Sequence, residues 1–277
     1  MRNLNLILNK LYYRRLRRPD YHDDVREQTR VVLESTFDHA RDYRPLPCAT
    51  HTLVLRVCYP GLVTGLNVAV AGATHEDIDS GFNLDFATGQ PLLHGWTIKG
   101  QLRSHFQNRT AAVAEITGLP AETVKALEKE IFDEGDTFFD AVIFDGDDKG
   151  KFIGLDFFCR HRVKNPTRDP IPIRVLKLMP NVRLEFRFAL RDGILTADEK
   201  LALFKELLLV FGIGARTNVG YGYLMEADSR IIPTERRVRV YCPHCGTSNY
   251  KYFPNGAPCT KCYRCKKPLN KGGEVDE

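Results

Sequence analysis

The 277-residue sequence lacks any apolar run that approaches the roughly 18 residues needed by a membrane-spanning helix. It also lacks a strong excess of one charge, since 40 Lys and Arg residues stand against 35 Asp and Glu residues. A net charge of +5 excludes a histone-like coat, and 43% apolar residues exclude a largely disordered chain. The arginine cluster near the N-terminus follows a short apolar stretch, the reverse of a secretory signal. We therefore expect a cytoplasmic protein with no membrane partner.

The charge is unevenly distributed along the chain. Residues 1–45 carry +3, residues 46–228 carry −4, and residues 229–277 carry +6. An acidic body with basic ends is compatible with a polyanion that is contacted locally, and equally with ordinary solvated surface. The charges alone do not separate these interpretations.

Cysteine is scarce over most of the chain and concentrated at its end. Only Cys48, Cys58 and Cys159 precede the last 36 residues, which excludes a disulfide-stapled scaffold. Cys58 and Cys159 lie in apolar, strand-like surroundings, where a free cysteine is usually a small buried hydrophobe. The remaining five cysteines need another explanation.

The C-terminal cysteines have the spacing of a metal site. Two Cys-x-x-Cys turns can present four thiolates tetrahedrally, as in structural zinc sites. We predict zinc bound by Cys242, Cys245, Cys262 and Cys265, with Cys259 as the spare thiol that competes for a place in the set. A closed four-thiolate site leaves no position for water, so this zinc would support folding and not catalysis.

Basic residues surround these cysteines, and they permit two readings. Their ammonium and guanidinium groups can contact phosphate, or they can form a solubilising surface. They are Lys251, Lys261, Arg264, Lys266 and Lys267.

Hydrophobic periodicity predicts interleaved strands and helices of the α+β class. Strands are predicted at 52–58, 137–145, 153–159, 182–190, 223–227 and 237–241, and helices within 1–45, from residue 95, at 121–131 and at 197–211. Thr196 and Glu199 form a capping box at the start of the last helix. The order fits a split βαβ, ferredoxin-like body with insertions at 46–235, preceded by a helical extension at 1–45 and followed by a zinc-ribbon-like module at 236–277.

A glycine-rich segment, FGIGARTNVGYG at residues 211–222, follows the last of these helices. Its glycines would let backbone amides approach a polyanion, while an arginine and a threonine reach phosphate oxygens. The segment matches neither a P-loop nor a dinucleotide fingerprint, and a purely structural turn is the alternative. The candidate RNA-binding residues here are Gly212, Gly214, Arg216, Thr217, Gly220, Tyr221 and Gly222.

A second segment, TGQPLLHGWTIKGQLR at residues 88–103, bears on the interpretation of the glycine-rich segment. It resembles the glycine- and lysine-containing signature of the RAMP superfamily, the RNA-binding proteins of CRISPR effector complexes. Residues 211–222 resemble that family's C-terminal glycine-rich loop. The blocks at 139–145, 155–161 and 169–173 resemble those of the type III-B (Cmr) subunit at the end of the effector backbone distal to the guide 5′ handle. The sequence departs from the signature at Trp96 and Thr97, where the family usually has small serines.

The resemblance implies an RRM-like fold that holds guide RNA and the guide–target duplex by their backbone, in contact with other effector subunits. On this basis Lys99 and Arg103, four residues apart on one helix face, neutralise phosphates. Arg216 and the glycine-rich loop would meet the same RNA strand, and Tyr221 would stack a base. The resemblance is to a subunit not regarded as a nuclease, so we expect a non-catalytic protein of antiviral defence.

Two catalytic alternatives stay open. A metal-dependent cleavage of target RNA would use an aspartate of the acidic stretch, with Asp77 or Asp79 as the candidate; its acidic residues are Glu76, Asp77, Asp79 and Asp85. Guide processing would use a histidine as general base on a 2′-hydroxyl. The available histidines are His51, His94, His105 and His161.

Overall fold

The computed structural model describes residues 4, 27, 30–64, 78–80, 83–160, 171–227, 239–245, 248–250, 265, 267 and 268. The chain divides into two compact units, Met1–Ala227 and Asp228–Glu277. No helix within the described ranges combines the length and apolar composition needed to cross a bilayer.

The described part of the larger unit includes a helical stretch at residues 30–33, followed by ten strands and five further α-helices. In chain order they are α1 (His39–Asp42), β1 (His51–Val57), β2 (Ile78–Ser80), β3 (Asn83–Leu84), β4 (Pro91–Leu93), α2 (Gly95–Asn108), α3 (Thr110–Thr117), α4 (Ala121–Lys129), β5 (Thr137–Phe138), β6 (Ala141–Asp145), β7 (Ile153–Arg160), β8 (Ile171–Leu178), β9 (Arg183–Ala189), α5 (Ala197–Phe211) and β10 (Leu224–Glu226). A π-helical turn at Glu130–Gly135 continues α4, and a short 3-10 helix lies at Thr217–Val219.

Four of these strands form the core of a ferredoxin-like fold. They lie in the order β10-β1-β9-β6, and each neighbouring pair is antiparallel. α2 lies between β1 and β6 in the chain, and α5 lies between β9 and β10. This is the split βαβ arrangement, so the predicted α+β, RRM-like body is confirmed. β4 and β3 extend the sheet beyond β6, and β5 pairs with β9.

One face of the sheet packs on α2 and α5, because alternate residues of each strand are apolar. On β9, Leu184, Phe186 and Phe188 are buried on this face, and the Phe188 ring lies 5.4 Å from that of Phe204 on α5. Thr196 accepts a hydrogen bond from the Glu199 amide and Glu199 accepts one from the Thr196 amide, as predicted for the start of α5.

The other face of the sheet carries charged residues of β9 and is partly covered by the segment before β1. The buried Arg187 and Glu185 form an ion pair at 2.5 Å. Tyr43 donates a hydrogen bond of 2.8 Å to Glu185, and Arg187 donates one of 2.7 Å to the Arg44 carbonyl. The His39 ring, on α1, stacks on Tyr43 at 4.6 Å. Residues 39–44 therefore pack against the part of the sheet formed by β9.

A separate three-stranded sheet has the order β2-β8-β7, with β7 and β8 antiparallel and β2 parallel to β8. The hairpin of β7 and β8 is inserted between β6 and β9 of the core. The smaller unit contains a two-stranded antiparallel sheet of β11 (Arg239–Tyr241) and β12 (Ser248–Tyr250).

Candidate nucleic-acid interface and metal centre

The start of α2 is fixed against the chain between β5 and β6. The Gly95 amide donates a hydrogen bond of 2.7 Å to the Asp140 carboxylate. A Cβ at Gly95 would lie 2.1 Å from the Phe138 carbonyl oxygen, so only glycine permits this approach of the two backbones. The first turn of α2, which contains Lys99, is thereby held beside Phe138, whose ring centre lies 6.0 Å from the Lys99 Nζ.

A cleft of about 440 Å³ lies at the same end of the molecule. The signature segment supplies one wall, and the other walls come from the start of β6, from β9 and from the chain before β1. The charged or hydroxyl-bearing residues of the lining are Asp42, Arg44, Asp85, Thr88, Asp140 and Arg187. Two signature residues, Thr88 and Gln90, thus face a space large enough for a small ligand.

Asp85 organises the turn at the edge of this cleft. Its Oδ2 accepts hydrogen bonds from the Thr88 amide at 2.7 Å and from the Thr88 hydroxyl at 2.5 Å. Burial alone would raise the pKa of Asp85, but the hydrogen bonds from Thr88 outweigh it and lower that pKa. The carboxylate is thus ionised and has a structural role in the turn.

Arg103 lies one turn after Lys99 and is engaged by two acidic residues. Its guanidinium makes bonds of 2.8 and 3.0 Å to Asp133, and its Nε lies 3.0 Å from Glu128. A phosphate at Arg103 would have to compete with both carboxylates. Lys99 has no salt bridge within the described part of the chain, so it is the more available cation of the pair.

The glycine-rich loop between α5 and β10 uses its backbone mainly to hold its own shape. Seven of its amides, those of residues 212, 213, 215, 219, 220, 221 and 222, donate to carbonyls of the chain. A Cβ at Gly222, where φ is +73°, would lie 1.9 Å from the Ile213 carbonyl oxygen, and one at Gly214 would lie 2.4 Å from that of Val63. These glycines allow close packing of backbone on backbone, which limits the predicted role of the amides as a polyanion cradle.

Tyr221 is packed in a small cluster and is only 9% exposed. Its hydroxyl donates a 2.7 Å hydrogen bond to Asp156, which also pairs with Lys177 at 2.5 Å. Burial, and then the Asp156 hydrogen bond, raise the pKa of Tyr221; burial would raise the pKa of Asp156, but Lys177 and Tyr221 lower it. The Phe158 ring meets the Tyr221 ring edge to face at 5.3 Å. A base could stack on Tyr221 only if the ring left its contacts with Phe158 and Asp156, so the predicted stacking would require this packing to open.

Arg216 is the exposed cation of the loop. Its guanidinium lies 4.0 Å from the centre of the Phe158 ring, and its backbone is left-handed, with φ at +61°. The half-buried Thr217 begins the short 3-10 helix directly after it, and Gly212 and Gly220 also have positive φ. Arg216 therefore stands at the outer side of the loop, where it can meet a phosphate.

Lys99 and Arg216 lie at opposite ends of the sheet. The loop joins the chain that follows β1, because the Gly222 amide donates to Gly61. The start of α2 is bound to Asp140, directly before β6. Phe138, two residues earlier, pairs with Phe188 of β9, which in turn pairs with His51 at the beginning of β1. Six residues of strand separate the two ends, or about 20 Å. An RNA strand that meets both residues, as predicted, must therefore run along the body.

α2 spans this distance, and Arg109, which follows it, was not among the predicted residues. The Arg109 guanidinium is exposed and lies 4.1 Å from the centre of the Phe211 ring, directly before Gly212. The 14 residues of α2 extend about 21 Å. Lys99 near the start of α2 and Arg109 after its end thus place one cation close to each end of the helix. The sequence offered only the helix periodicity as a signal for this.

The candidate catalytic residues are not brought together in the described part of the chain. His105 is buried, and its pKa is lowered to about 4 by burial and then by Arg109. His94 lies 3.6 Å from Asp140, and His51 lies 3.7 Å from Asp198. Asp79 is part of β2, whereas Glu76, Asp77 and His161 lie outside the described residues.

Three cysteines of the smaller unit lie close together. The sulfur atoms of Cys242, Cys245 and Cys265 are all within 4.8 Å of one another, and those of Cys242 and Cys265 are 3.5 Å apart. Thiolates on a tetrahedral zinc, with Zn–S bonds of about 2.3 Å, are about 3.8 Å apart. The three residues therefore fit a thiolate metal site. Cys259 and Cys262, the alternatives for a fourth ligand, lie outside the described residues, as do Lys251, Lys261, Arg264 and Lys266.

Comparison with known proteins identifies the family of the larger unit. The family model of the RAMP superfamily matches residues 68–225, more than half of the chain. No curated protein matches the sequence significantly.

Several solved structures are similar to part of this chain. One is a chain of the type III-B Cmr-beta bound to cognate target RNA, with 17% identity and a TM-score of 0.48, covering 62% of this chain and 56% of that one. Cmr6 from Pyrococcus furiosus has 22% identity and a TM-score of 0.43, covering 64% and 97%. A chain of a type IV-B CRISPR complex has 12% identity and a TM-score of 0.37, covering 65% and 93%. The present chain thus spans just over half the length of the first of these.

Proposed function

Because the chain belongs to the RAMP superfamily, we propose that it is a non-catalytic, RNA-binding subunit of a type III-B CRISPR effector. It would hold guide RNA, and the guide paired with target RNA, in a ribonucleoprotein with other Cmr-type subunits. The observation that carries the proposal is the position of the signature segment. Residues 88–103 form both a wall of the cleft and the first two turns of α2, beside the half-buried Lys99.

The RNA would be recognised by its backbone and not by its sequence. Lys99, Arg109 and Arg216 mark a path from the start of α2 to the glycine-rich loop. A path of about 20 Å accommodates several nucleotides of an extended strand. Backbone contacts of this kind fix register and orientation, while base pairing between guide and target supplies the sequence information.

The zinc site would stabilise the smaller unit. Cys242, Cys245 and Cys265 supply three thiolates, and we infer that Cys262 supplies the fourth, since it completes a second Cys-x-x-Cys turn. Bound zinc would replace the core that so short a segment cannot provide for itself.

RNA binding by the full chain tests the proposal. We expect the Lys99→Ala, Arg216→Ala double variant to bind single-stranded RNA at least about tenfold more weakly, since two phosphate contacts are lost. The slope of log Kd against log salt concentration should fall by about 1.4, or about 0.7 for each contact. Fluorescence anisotropy with labelled RNA measures both quantities.

Lys125→Ala is the matched control, because Lys125 is an exposed lysine of α4 that only pairs with Glu122. Its variant should bind as the parent protein does. An unchanged affinity and salt slope in the double variant would contradict the proposed surface, and shortening of the bound RNA in the presence of Mg²⁺ would contradict the non-catalytic role.

A further inference from the structure

Trp96 is the sole tryptophan of the chain, and it lies on the surface of α2. The residue is 69% exposed, and one face of its ring stacks on His94, with 3.8 Å between ring centres and an angle of 21° between the planes. Most large aromatic side chains gain free energy by burial. Here most of the indole stays in contact with solvent, although a hydrophobic core lies directly beneath the same helix at Ile98 and Leu102.

The position of the indole is fixed before any ligand arrives. His94 is the residue before α2 and lies 3.6 Å from Asp140, which also accepts the Gly95 amide hydrogen. The tight approach of Gly95 to Phe138 prevents the start of the helix from shifting. A flat aromatic surface held in this way costs little conformational entropy when a planar group stacks on it.

Within the described part of the chain, nothing requires a glycine at position 100, one turn after Trp96 on the same helix face. A Cβ at Gly100 would meet no described atom within 4 Å, and its φ is not in the left-handed region. Glycine inside a helix is less favourable than alanine, so the position sacrifices helix stability. A glycine that is exposed, unhindered and unfavourable indicates that something outside the described chain approaches the helix backbone here.

We propose that Trp96 stacks on a base of the bound RNA strand, while the sugar-phosphate backbone passes over Gly100 and places a phosphate at Lys99. This inference rests on the proposed function and identifies the position on α2 at which the protein contacts the RNA strand. Residues 96, 99 and 100 occupy one face of α2 because they are three and four positions apart. Within one helical turn they provide an aromatic surface for the base, a cation for the phosphate and open space for the ribose.

The surroundings of Trp96 favour a nucleotide over a protein partner. Exposed apolar patches of several hundred Å² are a common mark of protein interaction sites. On its exposed face Trp96 is followed by Lys99, by Gly100 and then by Arg103, none of which extends an apolar patch. A single aromatic ring between cationic and small residues is the pattern of a stacking site in single-stranded nucleic acid binding.

The intrinsic fluorescence of the protein reports on this contact alone, because Trp96 is the sole tryptophan. Titration of the full chain with single-stranded oligouridine should change the emission of the indole in proportion to the RNA bound. Inorganic polyphosphate has phosphates but no bases, so it should leave the emission nearly unchanged even where it binds.

Substitution provides the second measurement. Trp96→Ala should weaken the binding of the same oligonucleotide by about tenfold, within the range for one stacked base, and Trp96→Phe should restore most of the affinity. Gly100→Gln should weaken binding while its melting temperature stays equal to or above that of the parent protein. Lys125→Ala is again the control, because Lys125 is exposed on α4 and pairs with Glu122, and its variant should bind normally.

The outcomes separate the two proposals. Full binding of RNA with no change in tryptophan emission, or with unchanged affinity in Trp96→Ala, overturns the stacking site and leaves the proposed function standing. Failure of the parent protein to bind any RNA overturns both. A Trp96→Ala variant that binds RNA normally but no longer joins the other effector subunits would identify a protein contact and also overturns the stacking site.

Discussion

Individual side chains at the interface have roles that residue type alone does not reveal. Arg103 and Lys99 have the same charge and the same helix face, yet Asp133 and Glu128 engage only the arginine. These acidic partners lie 25 and 30 residues further along the chain. α4 and its π-helical extension pack on α2 and thereby bring the two carboxylates to Arg103. The sequence pattern of α2 alone therefore does not reveal these partners.

Tyr221 is a residue whose type suggests RNA contact but whose ring is buried in the structure. A tyrosine between two glycines is typical of an exposed loop that stacks bases. In the structure its ring is buried against Phe158, and its hydroxyl is bound by Asp156, both from the inserted hairpin. The candidate residues on the signature segment could be predicted, whereas their availability to a ligand required the fold.

His105 gives a residue-scale prediction about stability and pH. The unfolded chain takes up a proton near pH 6.5, whereas the folded protein resists protonation until about pH 4. Stability is therefore fully present above about pH 6.5 and is lost as the pH falls toward 4, by on the order of 3 kcal/mol at most. Urea unfolding at several pH values measures this loss.

The His105→Phe variant isolates the effect, because it retains an aromatic ring beside Phe211 and cannot accept a proton. The difference in free energy of unfolding between parent and variant should change across this pH window. A difference that stays constant from pH 7 to pH 4.5 would show that His105 is not the group responsible.

Elements with strong local signals could be predicted from the sequence. α5 begins at its capping box, and β1 and β9 lie within one residue of their predicted bounds, because alternation over seven residues is unambiguous. α3 was not predicted, since it is eight residues long and buries only Val113. Its existence depends on packing against neighbouring helices more than on its own periodicity.

β8 was also missed, for a reason that the topology explains. Pro172 argues against a central strand because it cannot donate to a neighbour. In the structure β2 pairs with residues 174–176, so among the described strands Pro172 is paired only with β7. A proline is tolerated there, although no local pattern distinguishes that position.

The cysteine turns give an element-scale prediction. The purified full chain should contain about one zinc, measured by elemental analysis, and Cys265→Ser should lose it, because this thiol lies with Cys242 and Cys245. Cys262→Ser should lose the metal as well. Cys48→Ser and Cys259→Ser should retain it, since Cys48 is exposed in the larger unit and Cys259 is the spare.

Two results would revise this site. Retention of zinc by Cys262→Ser together with its loss from Cys259→Ser would exchange the fourth ligand. Absence of zinc from the parent protein, even after purification with added zinc, would contradict the metal site altogether.

At the scale of the whole molecule, the two signature segments lie at opposite ends of one sheet and are joined by a helix. Charge composition alone pointed to the basic ends of the chain, since the body carries a net −4. The structure instead places Lys99, Arg109 and Arg216 along α2 and the adjoining loop of that acidic body. A small number of positioned cations can hold a phosphate backbone without a large net charge.

The most direct test of this account is ultraviolet crosslinking of the effector assembled with RNA, followed by identification of the crosslinked peptides. The account predicts crosslinks within residues 88–109 and 211–223, with the same peptides recovered for guides of different sequence. Crosslinks confined to the unit Asp228–Glu277, or none in this chain while other subunits are crosslinked, would contradict the claim that the RAMP body holds the RNA.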